Sequence, residues 1–543
     1  VIIKLGTTFL LLITAVVTVS AERLPEHKCG TIAILKTLNG KAGGMAPEQL
    51  DIKRFTRPSA SYTYDTPQGH FKVHYDLTGI NAVDSVGYVY KIGDYFERSW
   101  TAYIDTMGYL PPPPDGGLGG DDRYDVYLKH LGSYGLTYPG SDGPQPWDDL
   151  TSYIEIENDF DNVYSNDDPD GFVAGAMKVT CAHEFHHAVQ FGLRGSSTAW
   201  CAEMTSVSME ERLYPYVNDY IWLIDYLMES PHLPLDWNFG YHMYGMGLYA
   251  QYWNRAYGDG FLYSVWDTMR FLPDMVAIHS TCSDYSTTLF EDLCAFAARA
   301  FLTGPRDCGF FPDGSAFSDM TVENTHINYP AAGGTSCKPY GYGINYIVFE
   351  NFDTADCDLG IDFDGDSTVD WAVTAIWKSS DSAAFFDVDF DSRGSGEVRV
   401  PFVNDAEFVA LAIVPAGTTA ARYDYSYTAD ILPASIEIEE QRQKLPEDLT
   451  IEAYPNPFNS AVTIALVRAQ HAAPLPTGIE IYDINGQLVY STPSPPFSLW
   501  EKVAEGRMRG VVWTPDKSIP SGVYFAKAQI GGKIATKKFV FMK

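Results

Sequence analysis

The sequence predicts a multidomain protein: an α+β domain, then a β-sandwich, then a last all-β unit. Its 543 residues exceed the 250–300 or so that one hydrophobic core supports. The apolar pattern also changes along the chain. Strand and helix periods mix early, helical spacing dominates from Trp200 to about Phe301, and beyond Thr325 short strands alternate with polar turns. Finally, residues 434–450, with Glu439-Glu-Gln-Arg-Gln-Lys-Leu-Pro, read as a polar linker before a unit spanning 451–543. The α+β domain is placed at 69–320 and the sandwich at 321–433. A hydrophobic content of 45% argues for folded domains throughout.

Taken in order, residues 1–21 read as a secretory signal peptide. Lys4 precedes an apolar run, and Val19-Ser20-Ala21 supplies small residues at a cleavage point. That run is shorter than the ~20 residues of a membrane span, and no later stretch is long enough. Residues 22–68 are mixed and polar, a leader or pro-region. Phe71-Lys-Val-His-Tyr alternates as a strand does, and Val86 to Met107 carries aromatics at helical spacing. The breaker Pro111-Pro-Pro-Pro-Asp-Gly-Gly leads to strands at Tyr124–Leu128 and Ser152–Glu157. An acidic loop, Asn158 to Asp170, precedes a helix from Gly175 to Phe191, ended by Gly192. In the sandwich, Glu397-Val-Arg-Val and Phe408 to Val414 read as strands.

Charge and cysteines narrow the function. Lys and Arg number 37 against 70 Asp and Glu, a net −33 that repels nucleic acid and anionic membranes. All eight cysteines follow the signal, and none sits in a CxxC pair. An even count in an oxidising compartment predicts two to four disulfides, and the lack of a CxxC pair argues against a zinc site built mainly of thiolates.

The chemistry concentrates in TCAHEFHHAVQ, residues 180–190. On a helix, residues four apart share a face, so His183 and His187 can turn two imidazoles on one zinc. Glu184, one position along, reaches a water on that metal without ligating it, the HExxH arrangement. His186 is expected to make a helix-side hydrogen bond. A catalytic zinc needs a third protein ligand and an open position. HExxHxxGxxH is absent, because Gln190 and Leu193 stand at its last fixed places. Glu203, 16 residues after His187, is the expected ligand; Glu210 is a supporting partner or the alternative. Glu184 would act as general base, and Tyr244, with His242 and Tyr241 as alternatives, would donate to the developing oxyanion. Cys181 and Cys201 each precede a ligand by two residues, which suggests a disulfide clamping the two helices.

These residues resemble secreted bacterial zinc metallopeptidases of the glutamate-zincin type. The resemblance runs through PPPPDGGLGGDDRYDVYL, ENDFDN, KVTCAHEFHHAVQFG, WCAEMTSVSMEE, YPYVNDY and YGMGLYAQYWNRAYGDG, over roughly residues 68–300. It implies a zincin-like fold, a twisted sheet above an active-site helix, with zinc on His183, His187 and Glu203 and catalysis by Glu184. Such enzymes often place an aspartate four residues after the ligand glutamate; here Val207 stands there, so support for the histidines must come from elsewhere. The C-terminus, with Tyr454-Pro-Asn-Pro-Phe-Asn-Ser, Ile479-Glu-Ile-Tyr-Asp-Ile-Asn-Gly-Gln-Leu-Val and Ser521-Gly-Val-Tyr-Phe-Ala-Lys, resembles type IX secretion sorting domains of Ig-like, all-β build. That resemblance implies recognition by the secretion machinery and release from, or attachment to, the outer surface.

Two smaller signals remain. Asp362, Asp364, Asp366 and Asp370 are spaced as in a calcium loop, though Val373 replaces the terminal glutamate. In His27-Lys-Cys-Gly-Thr, Cys29 is assigned to a structural disulfide, with a latency thiol capping the metal as the other reading if 22–68 is a pro-region. The expectation is a secreted zinc endopeptidase acting on protein or peptide. The rival is a non-catalytic surface binding or adhesion protein on the same scaffold.

Overall fold

The computed structural model describes residues 27–39, 56–258, 260–352, 356–391, 393–434, 450–454, 462–467, 479–483, 487–491, 501–502, 508–515, 519–530 and 533–543. The expected signal peptide and nearly all of the expected linker lie outside them.

A six-stranded mixed sheet opens the fold. Its strands are β1 (His27–Cys29), β2 (Tyr62–Asp65), β3 (Phe71–Tyr75), β4 (Tyr124–Lys129), β5 (Ser133–Asp142) and β6 (Leu150–Glu157), in the order β1-β5-β6-β4-β3-β2. β3, β4 and β6 run parallel; β5 runs antiparallel to β6, and β1 adds to β5 in parallel. Sequence reading missed β5, because Pro139 and a register break between Pro139 and Asp142 interrupt its pattern. It also read 22–68 as a separate leader, whereas β1 and β2 are strands of this sheet.

Ten helices accompany the sheet among the described residues: α1 (Thr31–Asn39), α2 (Val86–Trp100), α3 (Phe172–Leu193), α4 (Ala199–Leu213), α5 (Ile221–Glu229), α6 (His242–Gly245), α7 (Gly247–Tyr257), α8 (Gly260–Met269), α9 (Asp274–Asp284) and α10 (Leu289–Ala300). A π-helical turn, Thr101–Thr106, extends α2. α3 is buried on all sides from Ala174 to Leu193, its apolar residues spread round the helix and most of its polar ones paired inside the fold. It continues through Gly192, since a glycine costs only about 1 kcal/mol in a helix held by packing. Phe185 anchors it to the sheet and α2, its ring 5.1 Å from Phe71, 5.8 Å from Trp100 and 6.0 Å from Tyr103.

The sandwich follows as β7 (Asn324–His326), β8 (Ala331–Gly334), β9 (Asn345–Phe349), β10 (Cys357–Gly365), β11 (Trp371–Lys378), β12 (Ala383–Asp387), β13 (Asp389–Phe390), β14 (Ser395–Val400), β15 (Phe408–Pro415) and β16 (Tyr425–Pro433). The sheets are ordered β13-β14-β10-β16-β8 and β12-β11-β15-β9-β7. β15 is buried on both faces. Val409, Leu411 and Ile413 join the core between the sheets, while Phe408, Ala410, Ala412 and Val414 join the core of the helical region. α10 covers that second face: the Tyr346 hydroxyl donates to the Ala297 carbonyl at 2.9 Å, and Phe301 packs 4.8 Å from Tyr346.

The described residues of the C-terminal unit form strands, as expected. β17 (Thr450–Tyr454), β18 (Val462–Val467), β21 (Glu501–Lys502) and β22 (Met508–Trp513) form one antiparallel sheet. β19 (Ile479–Asp483), β20 (Leu488–Ser491), β23 (Gly522–Ile530) and β24 (Lys533–Phe541) form the other. Trp513, Tyr524 and Phe539 are buried and meet ring to ring, 5.5–6.2 Å apart.

Among the described residues the expected disulfides are absent: Cys29, Cys181, Cys201, Cys282, Cys294, Cys308 and Cys337 are free thiols. The proposed Cys181–Cys201 clamp fails for a geometric reason. Positions two apart on a helix point roughly 200° away from each other. Cys181 therefore faces away from the histidines that meet α4, and Cys201 turns to Met269 on α8, 3.9 Å away.

Candidate metal centre

The i, i+4 spacing on α3 puts both imidazoles on one face of the helix. His183 Nε2 and His187 Nε2 face each other 3.1 Å apart. Across from them, α4 presents Glu203, with Oε2 3.0 Å from His183 Nε2 and Oε1 3.4 Å from His187 Nε2. The Glu203 side chain is fully buried, and Oε1 has no hydrogen-bond partner among the described residues. A fourth donor, Cys29 Sγ, lies 3.5 Å from His187 Nε2. One ligand atom from each of Cys29, His183, His187 and Glu203 falls within 4.8 Å of the others. Tetrahedral zinc, with bonds of about 2.0–2.3 Å, holds its ligand atoms roughly 3.3–3.8 Å apart. The separations of His183, His187 and Glu203 from one another and of Cys29 from His187, 3.0–3.5 Å, are close to that size. Two imidazoles and a buried carboxylate with an orphaned oxygen suit a divalent cation.

The supporting contacts are found in place of the missing aspartate at Val207. Glu210 Oε1 meets His183 Nδ1 at 2.8 Å, and Gln190 Oε1 meets His187 Nδ1 at 2.7 Å. Each partner holds its ring at Nδ1 and leaves Nε2 for the centre. Glu210 thus meets the nitrogen of His183 that faces away from the donor group. Its other oxygen ion-pairs with Lys28 Nζ at 2.6 Å, and Lys28 also reaches Asp219 at 2.7 Å.

The buried charges of the site shift one another. Burial disfavours a charged His183, but Glu203 and Glu210 outweigh it and hold its pKa at about 10. Burial would raise Glu203, but the charge of His187, the hydrogen bond from His183 and the close approach of His187 bring it down to about 2. His186 stands apart as expected: burial and the neighbouring histidines push its pKa well down. Its Nδ1 bonds Ser206 Oγ at 3.0 Å and the Gln190 amide at 2.8 Å.

Glu184 is buried on the β5 side, where its Oε2 accepts from Thr137 Oγ1 at 2.7 Å and Thr31 Oγ1 at 3.1 Å. β5 comes this close only because residue 135 is glycine; a Cβ there would sit 2.8 Å from Glu184 Cγ. Tyr244 on α6 is buried, its ring 6.4 Å from that of His183 and its hydroxyl 3.5 Å from the Cys29 carbonyl. His242 instead turns Nδ1 to the Tyr226 carbonyl, 3.5 Å away, and burial lowers its pKa to about 4. Tyr241 packs on Tyr226 and Tyr244, 5.0 and 5.8 Å away.

The four aspartates of the expected calcium loop do not converge. Residues 357–365 are strand β10, so Asp362 and Asp364 alternate onto its exposed face and bond Thr428 and Ser395. Asp366 caps its own turn through the Thr368 amide at 2.9 Å, and Asp370 is exposed beyond it. Sequence reading also gave no role to Lys28, Thr31, Thr137 or Gln190. Only Gln190, three residues past His187 on the same helix face, carried a local signal.

No curated protein matches this chain. Among solved structures the similarity is slight. A Dscam structure solved for isoform specificity shares 9% identity over 32% of this chain and 37% of that one, with a TM-score of 0.12. A Parabacteroides merdae β-glucuronidase shares 11% over 40% and 28%, with a TM-score of 0.13. The titin domains z1z2 in complex with telethonin share 10% over 41% and 98%, with a TM-score of 0.12. The family described as "Secretion system C-terminal sorting domain" matches residues 452–498. No helix among the described residues is long and apolar enough to cross a membrane. The chain ends in a type IX secretion sorting domain, and the protein is secreted or attached to the outer cell surface.

Proposed function

We propose that the protein is a zinc-dependent endopeptidase, with His183, His187 and Glu203 holding the metal. The observation that carries this is the buried carboxylate of Glu203, whose unpartnered Oε1 shares one small space with two inward-facing imidazoles while Glu184 stands beside them. Zinc held there supplies Lewis acidity, acidifying a water and polarising a carbonyl. The chain's residues do the rest. Glu184 accepts the water's proton and delivers it to the leaving amine, with Thr137 fixing its carboxylate at 2.7 Å. Tyr244 supplies a hydroxyl to the carbonyl oxygen as negative charge grows on it. Glu210 and Gln190 keep both rings aligned through the cycle.

The test pairs zinc analysis with cleavage of a broad peptide library, before and after limited proteolysis of the N-terminal region. Glu184→Gln should keep one zinc per chain and lose cleavage by about 10²–10⁴-fold. Zinc-loaded wild type that cleaves no peptide in either state would overturn the reading and favour a surface-binding role.

A further inference from the structure

We infer that residues 28–31 are a built-in inhibitory segment seated in the substrate cleft, with the Cys29 thiolate as fourth ligand to the metal. This rests on the peptidase reading above, and it accounts for contacts that reading leaves unused.

Each of Lys28, Cys29 and Thr31 engages a different working part of the site. Cys29 Sγ sits in the donor group with His183, His187 and Glu203. Thr31 Oγ1 donates to Glu184 at 3.1 Å and accepts from the Thr137 amide at 2.8 Å, so the general base is already occupied. The Cys29 carbonyl takes the Tyr244 hydroxyl at 3.5 Å, as a substrate carbonyl would. Lys28 locks the segment to Glu210 and Asp219.

The backbone makes the same point. β1 pairs with β5 in the register His27–Ser133 and Cys29–Gly135, and the Gly30 amide donates to the Gly135 carbonyl at 3.0 Å. Without β1, β5 becomes the edge of the sheet beside Glu184. An extended peptide binds such an edge by adding a strand, so substrate and segment compete for the same hydrogen bonds. Close seating depends on Gly30, where a Cβ would lie 2.4 Å from Leu136. A buried thiol at the open ligand position therefore belongs to a segment that mimics substrate along its length. Coordination releases the thiol proton, and displacement of the segment restores an open position for water.

Zinc-edge X-ray absorption on the full chain tests this without relying on activity. Wild type should show one sulfur at about 2.3 Å, and Cys29→Ser should keep one zinc per chain with only nitrogen and oxygen neighbours at about 2.0–2.2 Å. If fewer than about one chain in ten is open, Cys29→Ser should cleave peptide at least tenfold faster than wild type. Gly30→Val, which forces the segment off Leu136 and alters no donor, should also lose the sulfur signal and gain activity. Zinc without sulfur in wild type overturns the inference and leaves the peptidase reading intact. Sulfur present with no gain in either variant makes Cys29 a permanent ligand and overturns inhibition. No zinc in wild type or in Cys29→Ser defeats the peptidase reading itself, and the inference with it.

Discussion

Replacing Glu210 probes whether the metal centre depends on its supporting contacts. Glu210 holds His183 Nδ1 at 2.8 Å through one oxygen and Lys28 Nζ at 2.6 Å through the other, with its side chain almost fully buried. Loss of such a partner typically weakens metal binding 10–100-fold, or about 1.4–2.8 kcal/mol. Glu210→Gln keeps an oxygen for the Nδ1–H but removes the charge that strengthens the ring's electron donation, so zinc affinity should fall by about 10-fold. Glu210→Ala removes both, frees the ring to turn, and leaves Lys28 with Asp219 alone, so the fall should approach 100-fold. Competition against a chromogenic chelator at fixed pH measures both, and circular dichroism checks that the fold persists. If folded Glu210→Ala binds zinc as tightly as wild type, the contact does not orient His183, and the assignment of Glu210 would be wrong.

Tyr244→Phe should leave zinc stoichiometry unchanged and lower kcat by roughly 10²–10³ without a matching rise in KM, the mark of a donor used mainly in the transition state. Burial, followed by the charge of Asp313, pushes Glu211 up to about 8, with Arg255 acting the other way. The native chain therefore keeps a proton that the unfolded chain gives up near pH 4.5, so Glu211 makes stability fall as pH rises from about 4.5 to 8. Denaturant titrations of Glu211→Gln should lack that component and show a gain over wild type of a few kcal/mol at pH 9, each pKa unit being worth about 1.4 kcal/mol; equal slopes for the two proteins would refute this assignment.

The half of the site that obeys a local period was legible in the sequence. His183, Glu184 and His187 follow from helical spacing, and Glu203 from the need for a third ligand on a neighbouring helix; all four lie where α3 meets α4. The other half comes from segments distant in sequence. Cys29 is 158 positions from His187, and Thr31 is 106 from Thr137. Neither distance leaves a pattern in one chain, and β5, which brings them together, is disguised by Pro139 and its glycines. The disulfides were misjudged for a related reason. Export and an even count say where bridges are permitted, whereas helix phase decides which thiols face each other. Asp362 and Asp364 do not form a loop, because carboxylates at alternate positions also describe one exposed face of a strand, as in β10.

The double burial of β15 bears on how the chain could be divided. Its odd-numbered residues complete the sandwich while its even-numbered ones complete the helical core beneath α10. The seam between these regions in the sequence is therefore not a seam in folding. A fragment ending near residue 320 would lay bare the apolar underside of α10, and an isolated sandwich would lay bare Phe408 and Val414. The smallest piece that can be exchanged between proteins as a unit runs through the β-sandwich and stops before the sorting domain.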